Sequence, residues 1–249
     1  MELESFRTRD VDEIVGILNY DRVWSAYALG DLNDLNFPLA RYYTNGPNLT
    51  LVFEGLQPPA LFCFGGIGAL RFLLDLLPSG DFTASFTPEP EAIFPENTEV
   101  ISLKRMLRYK MEITDQIFGD GVAELLGQKD VDAINELMTH YPDNVFHTDQ
   151  LAYPFAGIYQ DDKLVACAGT HVVNPDQKVA ALGNVMVHPN YRERGFGSQV
   201  VGKVLNELKD QASLIVLNCS VKNKEAQTLY EELGFTTHGR YNEAEVRLP

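Results

Sequence analysis

Apolar residues recur every three or four positions over 11–18 and 23–32, a spacing that predicts two helices. Short apolar runs bounded by turn residues at 49–53 and 60–64 read as strands. A helix is expected over 70–77, and further strands at 82–86 and 100–103. At Phe118-Gly119-Asp120-Gly121 two glycines and an acid break the pattern. Beyond them a strand at 123–126 leads to a helical pattern over 131–141. A hairpin follows, with arms 155–159 and 164–173 joined through Asp161 and Asp162. A strand over 179–187, a helix over 198–208, a continuous apolar run at 214–217 suited to a buried strand, and a last helix over 224–233 complete the reading. Hairpins feeding a strand–helix–strand crossover predict an α+β, or mixed α/β, fold.

The chain also echoes itself. Asp10-Val11-Asp12-Glu13-Ile14 and Asp130-Val131-Asp132-Ala133-Ile134 lie 120 residues apart, and each opens a helical pattern. A duplication leaves such a trace, and so do two unrelated helix starts with acidic first turns. Division at the 118–121 turn gives domains of residues 1–119 and 120–249, both of ordinary domain size.

Charge changes the picture more than composition does. With 35 acidic residues against 20 Lys and Arg, the 249-residue chain carries a formal net charge of -15. Such a molecule is repelled by phosphate backbones and anionic lipid, so neither nucleic acid nor membrane is an expected partner. An anionic ligand would need a local cluster of cations and amides. Cys63, Cys167 and Cys219 lie in apolar runs, the usual setting of reduced core thiols. The N-terminal residues are charged where a signal peptide is apolar, and no run approaches the roughly 20 apolar residues of a membrane span. A cytoplasmic protein is expected.

One segment answers the need for cations. Val185-Met186-Val187 closes a strand, and His188-Pro189-Asn190-Tyr191-Arg192-Glu193-Arg194-Gly195-Phe196-Gly197-Ser198 leads straight into an amphipathic helix. Glycines let the backbone turn its amides toward a ligand, a helix N-terminus favours negative charge, and Arg192 and Arg194 add cations. The glycine spacing fits neither a dinucleotide fingerprint nor a P-loop. Arg-x-x-Gly-x-Gly after such a strand resembles the acyl-CoA pyrophosphate loop of the GNAT acetyltransferase superfamily. Downstream, Asn223, Ala226, Leu229, Tyr230, Gly234 and Phe235 reproduce that family's N-x-x-A-x-x-L-Y-x-x-x-G-F signature. The likeness covers about 123–249, and within the family it is similar to the glycine N-acyltransferase-like group.

The resemblance implies a GNAT fold in the C-terminal half, with the N-terminal half a degenerate copy. It implies acetyl-CoA as co-substrate, no metal, and transfer of the acyl group to a primary amine of a small molecule or amino acid. Two strands would part around the pantetheine arm. The backbones of Val185, Met186 and Val187, with Asn218 and Asn223, would meet that arm, and Arg192, Glu193, Arg194, Gly195, Phe196, Gly197 and Ser198 would hold the pyrophosphate. Tyr230 would be the general acid. The strand before the loop has no carboxylate to act as base, which leaves Asn184 to orient a water, His171 to take the proton, or His188 at the loop entry. A homodimer is compatible with this reading. A non-catalytic acyl-CoA sensor and an interaction protein built around the first half remain as alternatives. Phe64-Gly65-Gly66-Ile67-Gly68-Ala69 lacks a preceding arginine and reads as a degenerate loop copy or a plain turn. The basic stretch Lys104 to Lys110 reads as an amphipathic element packing against the second half.

Overall fold

Asp10 starts the first helix as its position in the sequence predicts. Its carboxylate accepts from the amides of Asp12 and Glu13 at 3.0 and 3.2 Å, and Ile14, Ile17 and Leu18 turn inward. The structure is a computed structural model that describes residues 2–87, 90–113, 115–141 and 146–249. The first run of elements is β1 (Arg7–Thr8), α1 (Val11–Leu18), α2 (Ala26–Gly30), β2 (Ala40–Asn45), β3 (Asn48–Phe53), β4 (Ala60–Phe64), α3 (Ile67–Leu74), β5 (Gly80–Phe86), α4 (Pro90–Ile93) and β6 (Glu99–Glu112). The second is β7 (Glu124–Leu125), α5 (Val131–Met138), β8 (Ala156–Gln160), β9 (Lys163–Asn174), β10 (Val179–Val187), α6 (Phe196–Leu208), β11 (Leu214–Ser220), α7 (Lys224–Glu232) and β12 (Thr236–Leu248). Apart from α2, the two runs present strands and helices in the same order, a mixed α/β arrangement.

The chain forms two compact units. One comprises Met1–Arg108, Cys219–Lys222 and His238–Pro249, the other Tyr109–Asn218 and Asn223–Thr237. In the first unit β1, β2, β3 and β4 pair antiparallel in turn, β4 and β5 pair parallel across the α3 crossover, and β12 adds antiparallel to β5 from Asn242↔Phe86 to Leu248↔Gly80. Leu70, Leu73 and Leu74 of α3 pack with Phe82, Ala84, Phe86, Val246 and Leu248 to form its core. The second unit repeats the scheme. β7, β8, β9 and β10 are antiparallel neighbours, and β10 pairs parallel with β11 across α6. Val179, Ala180, Ala181 and Leu182 are all buried, as a strand covered on both faces must be. Ile134, Leu137 and Met138 of α5 pack with Phe155, Leu164, Cys167 and Met186, while α6 buries Val200, Val201, Val204, Leu205 and Leu208.

Several expectations change. The helix expected over 23–32 shortens to Ala26–Gly30; Trp24 lies ahead of it, its ring tilted against Phe62 at 5.3 Å and edge-on to Tyr241 at 5.1 Å. β2 and β12 were not expected as strands. The basic stretch is the C-terminal part of β6, and Leu107, Arg108 and Tyr109 are buried in succession. Arg108 takes a place among aromatic rings, its guanidinium 5.1 Å from the Trp24 ring centre, 4.8 Å from Tyr27 and 5.3 Å from Tyr241. No helix among the described residues is long and apolar enough to cross a membrane.

Candidate active site

β10 and β11 pair only from Val179↔Leu214 to Leu182↔Leu217 and then run on, to Val187 and Ser220, without each other. The cause lies in β10. Its register against β9 slips between Ala181 and Leu182 and again between Gly183 and Met186, and Asn184 is left-handed at φ 52°. A bulge of this kind bends the strand. The parted ends present backbone donors and acceptors along an edge, the arrangement that receives an extended ligand as an added strand. Two side-chain oxygens in this region, Asn184 Oδ1 and Asn218 Oδ1, are buried with no hydrogen-bond partner among the described residues. A bound donor would satisfy them.

The strand ends in the glycine–arginine loop. His188 donates its amide to Val165 O at 2.8 Å and accepts the Asn190 amide on Nδ1 at 3.2 Å, which fixes the turn out of β10. Glu193 and Gly195 are left-handed at φ 61° and 73° just ahead of α6, the kind of backbone that can turn neighbouring amides toward one anion. The first amides of a helix have no intrahelical acceptor, and its dipole adds partial positive charge. Arg194 lies over the Tyr191 ring at 5.0 Å. Arg192 donates from Nε to Val187 O at 3.5 Å and lies 3.7 Å from Glu225 in the first turn of α7. That pair is exposed and stabilises little, leaving the guanidinium available to a stronger anion.

The third element is α7. Asn223 Oδ1 caps it by accepting the Ala226 amide at 3.1 Å, worth about 1 kcal/mol. Helices α6 and α7 meet closely beside the strand end: a Cβ at Gly197 would stand 3.1 Å from Leu229 Cδ2 and 3.7 Å from Val187 Cγ2. Tyr230 is buried, with ring centres of Tyr109 and Phe235 each 6.0 Å away. Tyr109 donates to Glu231 at 3.0 Å.

Thus the structure brings Val185, Met186, Val187, Arg192, Glu193, Arg194, Gly195, Phe196, Gly197 and Ser198 into one strand end, loop and helix start, with Asn218 on the parted neighbour and Asn223 and Tyr230 on α7. His171 and Asn184 are joined through a residue with no motif to announce it, Gln150. Its Nε2 lies 2.9 Å from His171 Nδ1, and its Oε1 accepts from Asn184 Nδ2 at 2.7 Å. Desolvation, with a smaller contribution from His147, pushes the His171 pKa down to about 4. At neutral pH the ring is uncharged, and its affinity for a proton is low for a base. Tyr109 is a second residue that sequence reasoning passed over. In the first unit the glycine turn before α3 is closed from within, because the Asn48 side chain accepts the Gly66 amide at 2.7 Å. Among the described residues no group of three or more His, Cys, Asp or Glu is placed to hold a metal ion.

Residues 122–235 match the model of the acetyltransferase (GNAT) family. Solved structures share the fold. A Novosphingobium aromaticivorans protein assigned to the GNAT acetyltransferases superposes with a TM-score of 0.69 at 22% identity, over 92% of this chain and 100% of its own. A Drosophila protein gives 0.68 at 11% identity, over 98% and 97%. A GCN5-related N-acetyltransferase from Kribbella flavida gives 0.57 at 14%, over 92% and 95%. At these identities the likeness is one of fold. No curated protein matches the sequence.

Proposed function

We propose, from the match of residues 122–235 to the GNAT acetyltransferase family, that the chain transfers an acetyl, or related acyl, group from acyl-CoA to a primary amine of a small molecule or amino acid. The parted ends of β10 and β11, running into the loop at the start of α6, are the observation that carries this reading. The edge of β10 from Val185 to Val187 suits the amides of a pantetheine arm, and the buried Asn218 Oδ1 suits one of its N–H groups. Asn223 borders the same arm. Arg192, Arg194 and the amides of Glu193 to Ser198 hold the pyrophosphate against the field of a chain with net charge -15.

Bound acyl-CoA supplies a thioester carbonyl, and the chain's residues hold and polarise what meets there. A backbone N–H near Val185 donates to the carbonyl oxygen as it gains charge. Tyr230 gives its hydroxyl proton to the departing thiolate. A nitrogen–carbon bond forms as the carbon–sulfur bond breaks, and the proton displaced from nitrogen passes to water, from which Tyr230 recovers its own. Proximity and orientation account for much of such a rate. The acidic surface favours a cationic acceptor such as a polyamine or a lysine side chain. We read residues 120–249 as the catalytic run and 1–119 as its diverged copy, in keeping with the shared element order.

The test is thiol release from acetyl-CoA with a panel of amines, alongside calorimetry of CoA binding. Binding without turnover for any amine sinks the enzyme reading. It would favour an acyl-CoA sensor, to which the lack of a carboxylate on β10 also points.

A further inference from the structure

Gln150 grips the bulge of β10 at two points. Besides its bond to Asn184, it reaches His171, whose ring lies against Gly183: a Cβ there would stand 1.7 Å from His171 Nε2. Gln150 thus bonds Asn184 directly and meets position 183 only through the His171 ring that lies against it. Asn184 itself is left-handed, at φ 52°.

The direction of these hydrogen bonds follows from the Gln150 amide, whose Oε1 faces Asn184 Nδ2 and whose Nε2 faces His171 Nδ1. Desolvation keeps the ring uncharged at neutral pH, and the tautomer with its one proton on Nε2 leaves Nδ1 to accept from the Gln150 nitrogen that faces it. An amide facing an acceptor must turn its nitrogen to it. Gln150 thus donates to His171 and offers Oε1 to Asn184, and Asn184 answers with Nδ2. Asn184 Oδ1 is left pointing out of this network, buried and without a donor among the described residues. A buried acceptor in that state calls for a donor from outside the chain.

We propose that Gln150 is a positioning residue, which through Asn184 aims one buried acceptor, Asn184 Oδ1, at an N–H of the attacking amine. The inference rests on the acyl-transfer reading above. It names the acceptor as a nitrogen that carries hydrogen beside its lone pair. The carbonyl oxygen orients that nitrogen without removing its proton. As nitrogen attacks, its N–H becomes more acidic and the bond to Asn184 strengthens, so the contact acts on turnover as well as on binding.

Amine kinetics at saturating acetyl-CoA test it, with CoA affinity measured by calorimetry. Gln150→Leu frees the Asn184 amide to rotate and should lower kcat/KM for the amine by about tenfold to a hundredfold, mostly in kcat, with CoA affinity held within about twofold. Gln150→Glu still accepts from Asn184 Nδ2 and should stay within about threefold of wild type. The proposal is overturned if Gln150→Leu keeps the wild-type ratio, if CoA affinity falls in parallel, or if Gln150→Glu is as impaired as Gln150→Leu. A wild-type protein that turns over no amine removes the acyl-transfer reading instead. In that event the side-chain amide NMR signals of Asn184 decide the inference. They must move on Gln150→Leu and on adding an amine to protein loaded with a non-reactive thioether analogue of acetyl-CoA, and signals that stay still in either case overturn it.

Discussion

Acid should loosen the second unit through His171. Its pKa falls from the ordinary 6.5 to about 4, chiefly because the position is desolvated. A group whose folded pKa lies below its unfolded value refuses in the folded state a proton that the unfolded chain takes. Its stabilising contribution is complete above pH 6.5 and is lost as pH falls toward 4. For one such site, moving from pH 7 to pH 4.5 removes about 2 kcal/mol. The ring is half-buried rather than sealed, so this figure is a ceiling. Asp31 works the other way over the same range. Burial pushes it up to about 7, against a hydrogen bond from Asn36 that lowers it, so its contribution is present below pH 3.8 and lost as pH rises through 7. The two are separable because they belong to different units. Trp24, the only tryptophan, lies in the unit of Asp31, whereas the amide resonances of β9 and β10 report on that of His171. Urea unfolding followed on those resonances, for wild type and His171→Gln at pH 7 and 4.5, isolates the term. The stability gap between the two proteins should shift by up to about 2 kcal/mol between the two pH values. Curves that stay parallel within about 0.5 kcal/mol would refute the reasoning.

The loop, the acid and the first unit give three further tests. Arg192→Ala should weaken CoA binding by about tenfold in calorimetry, the loss of one charge-assisted contact. Gly195→Val should do at least as much, because a branched side chain at φ 73° adds about 1–2 kcal/mol of backbone strain; unchanged affinity in either variant refutes the pyrophosphate assignment. Tyr230→Phe should cut turnover by roughly a hundredfold while CoA affinity holds, and full activity would remove Tyr230 from the mechanism. Asp31→Asn should raise the urea midpoint seen by Trp24 fluorescence at pH 8 and leave it little changed at pH 4. A midpoint equal to wild type at pH 8 would show that Asp31 bears no desolvation cost.

Local signals carried well from sequence to structure, and signals that depend on distant pairing did not. The starts of α1 and α7 were legible because Asp10 and Asn223 satisfy amides within three residues of themselves. β10 was read end to end, since a run buried on both faces and stopped by His188-Pro189 has one interpretation. Its bulge was not legible, because nothing in Leu182-Gly183-Asn184-Val185 says which residue turns left-handed. Gln150 was invisible for a related reason. It matters only because residues 21 and 34 positions further on are folded against it. Arg108 misled in the opposite direction. Among Lys104, Arg105 and Lys110 it looks like one cation of a solvated face, yet it is 3% exposed because Trp24, Tyr27 and Tyr241 converge on it from remote parts of the chain. β12 repeats the lesson. Ala244, Val246 and Leu248 alternate with Glu243, Glu245 and Arg247 as a half-buried strand should, but its partner is β5, more than 150 residues away.

That last pairing bears on what the first run contributes to catalysis. β6 and β12 close the first and second runs, and part of each counts with the unit built by the other: β12 from His238 onward completes the sheet beside β5, while Tyr109 to Glu112 of β6 count with the unit that holds α6 and α7. The division expected from the sequence at the 118–121 turn and the division of the folded chain are therefore different things. The exchange places a residue of the first run, Tyr109, beside the residue proposed as the acid. Its ring centre is 6.0 Å from that of Tyr230, and its hydroxyl bonds Glu231 one residue on. Tyr230 owes its fixed orientation to that wall as well as to Phe235, also at 6.0 Å. Residues 120–249 on their own would keep every motif by which the family is recognised and lose one side of the pocket in which Tyr230 is held. On this argument the first run would bear on the proposed chemistry through its last strand, even though its own glycine turn is closed by Asn48.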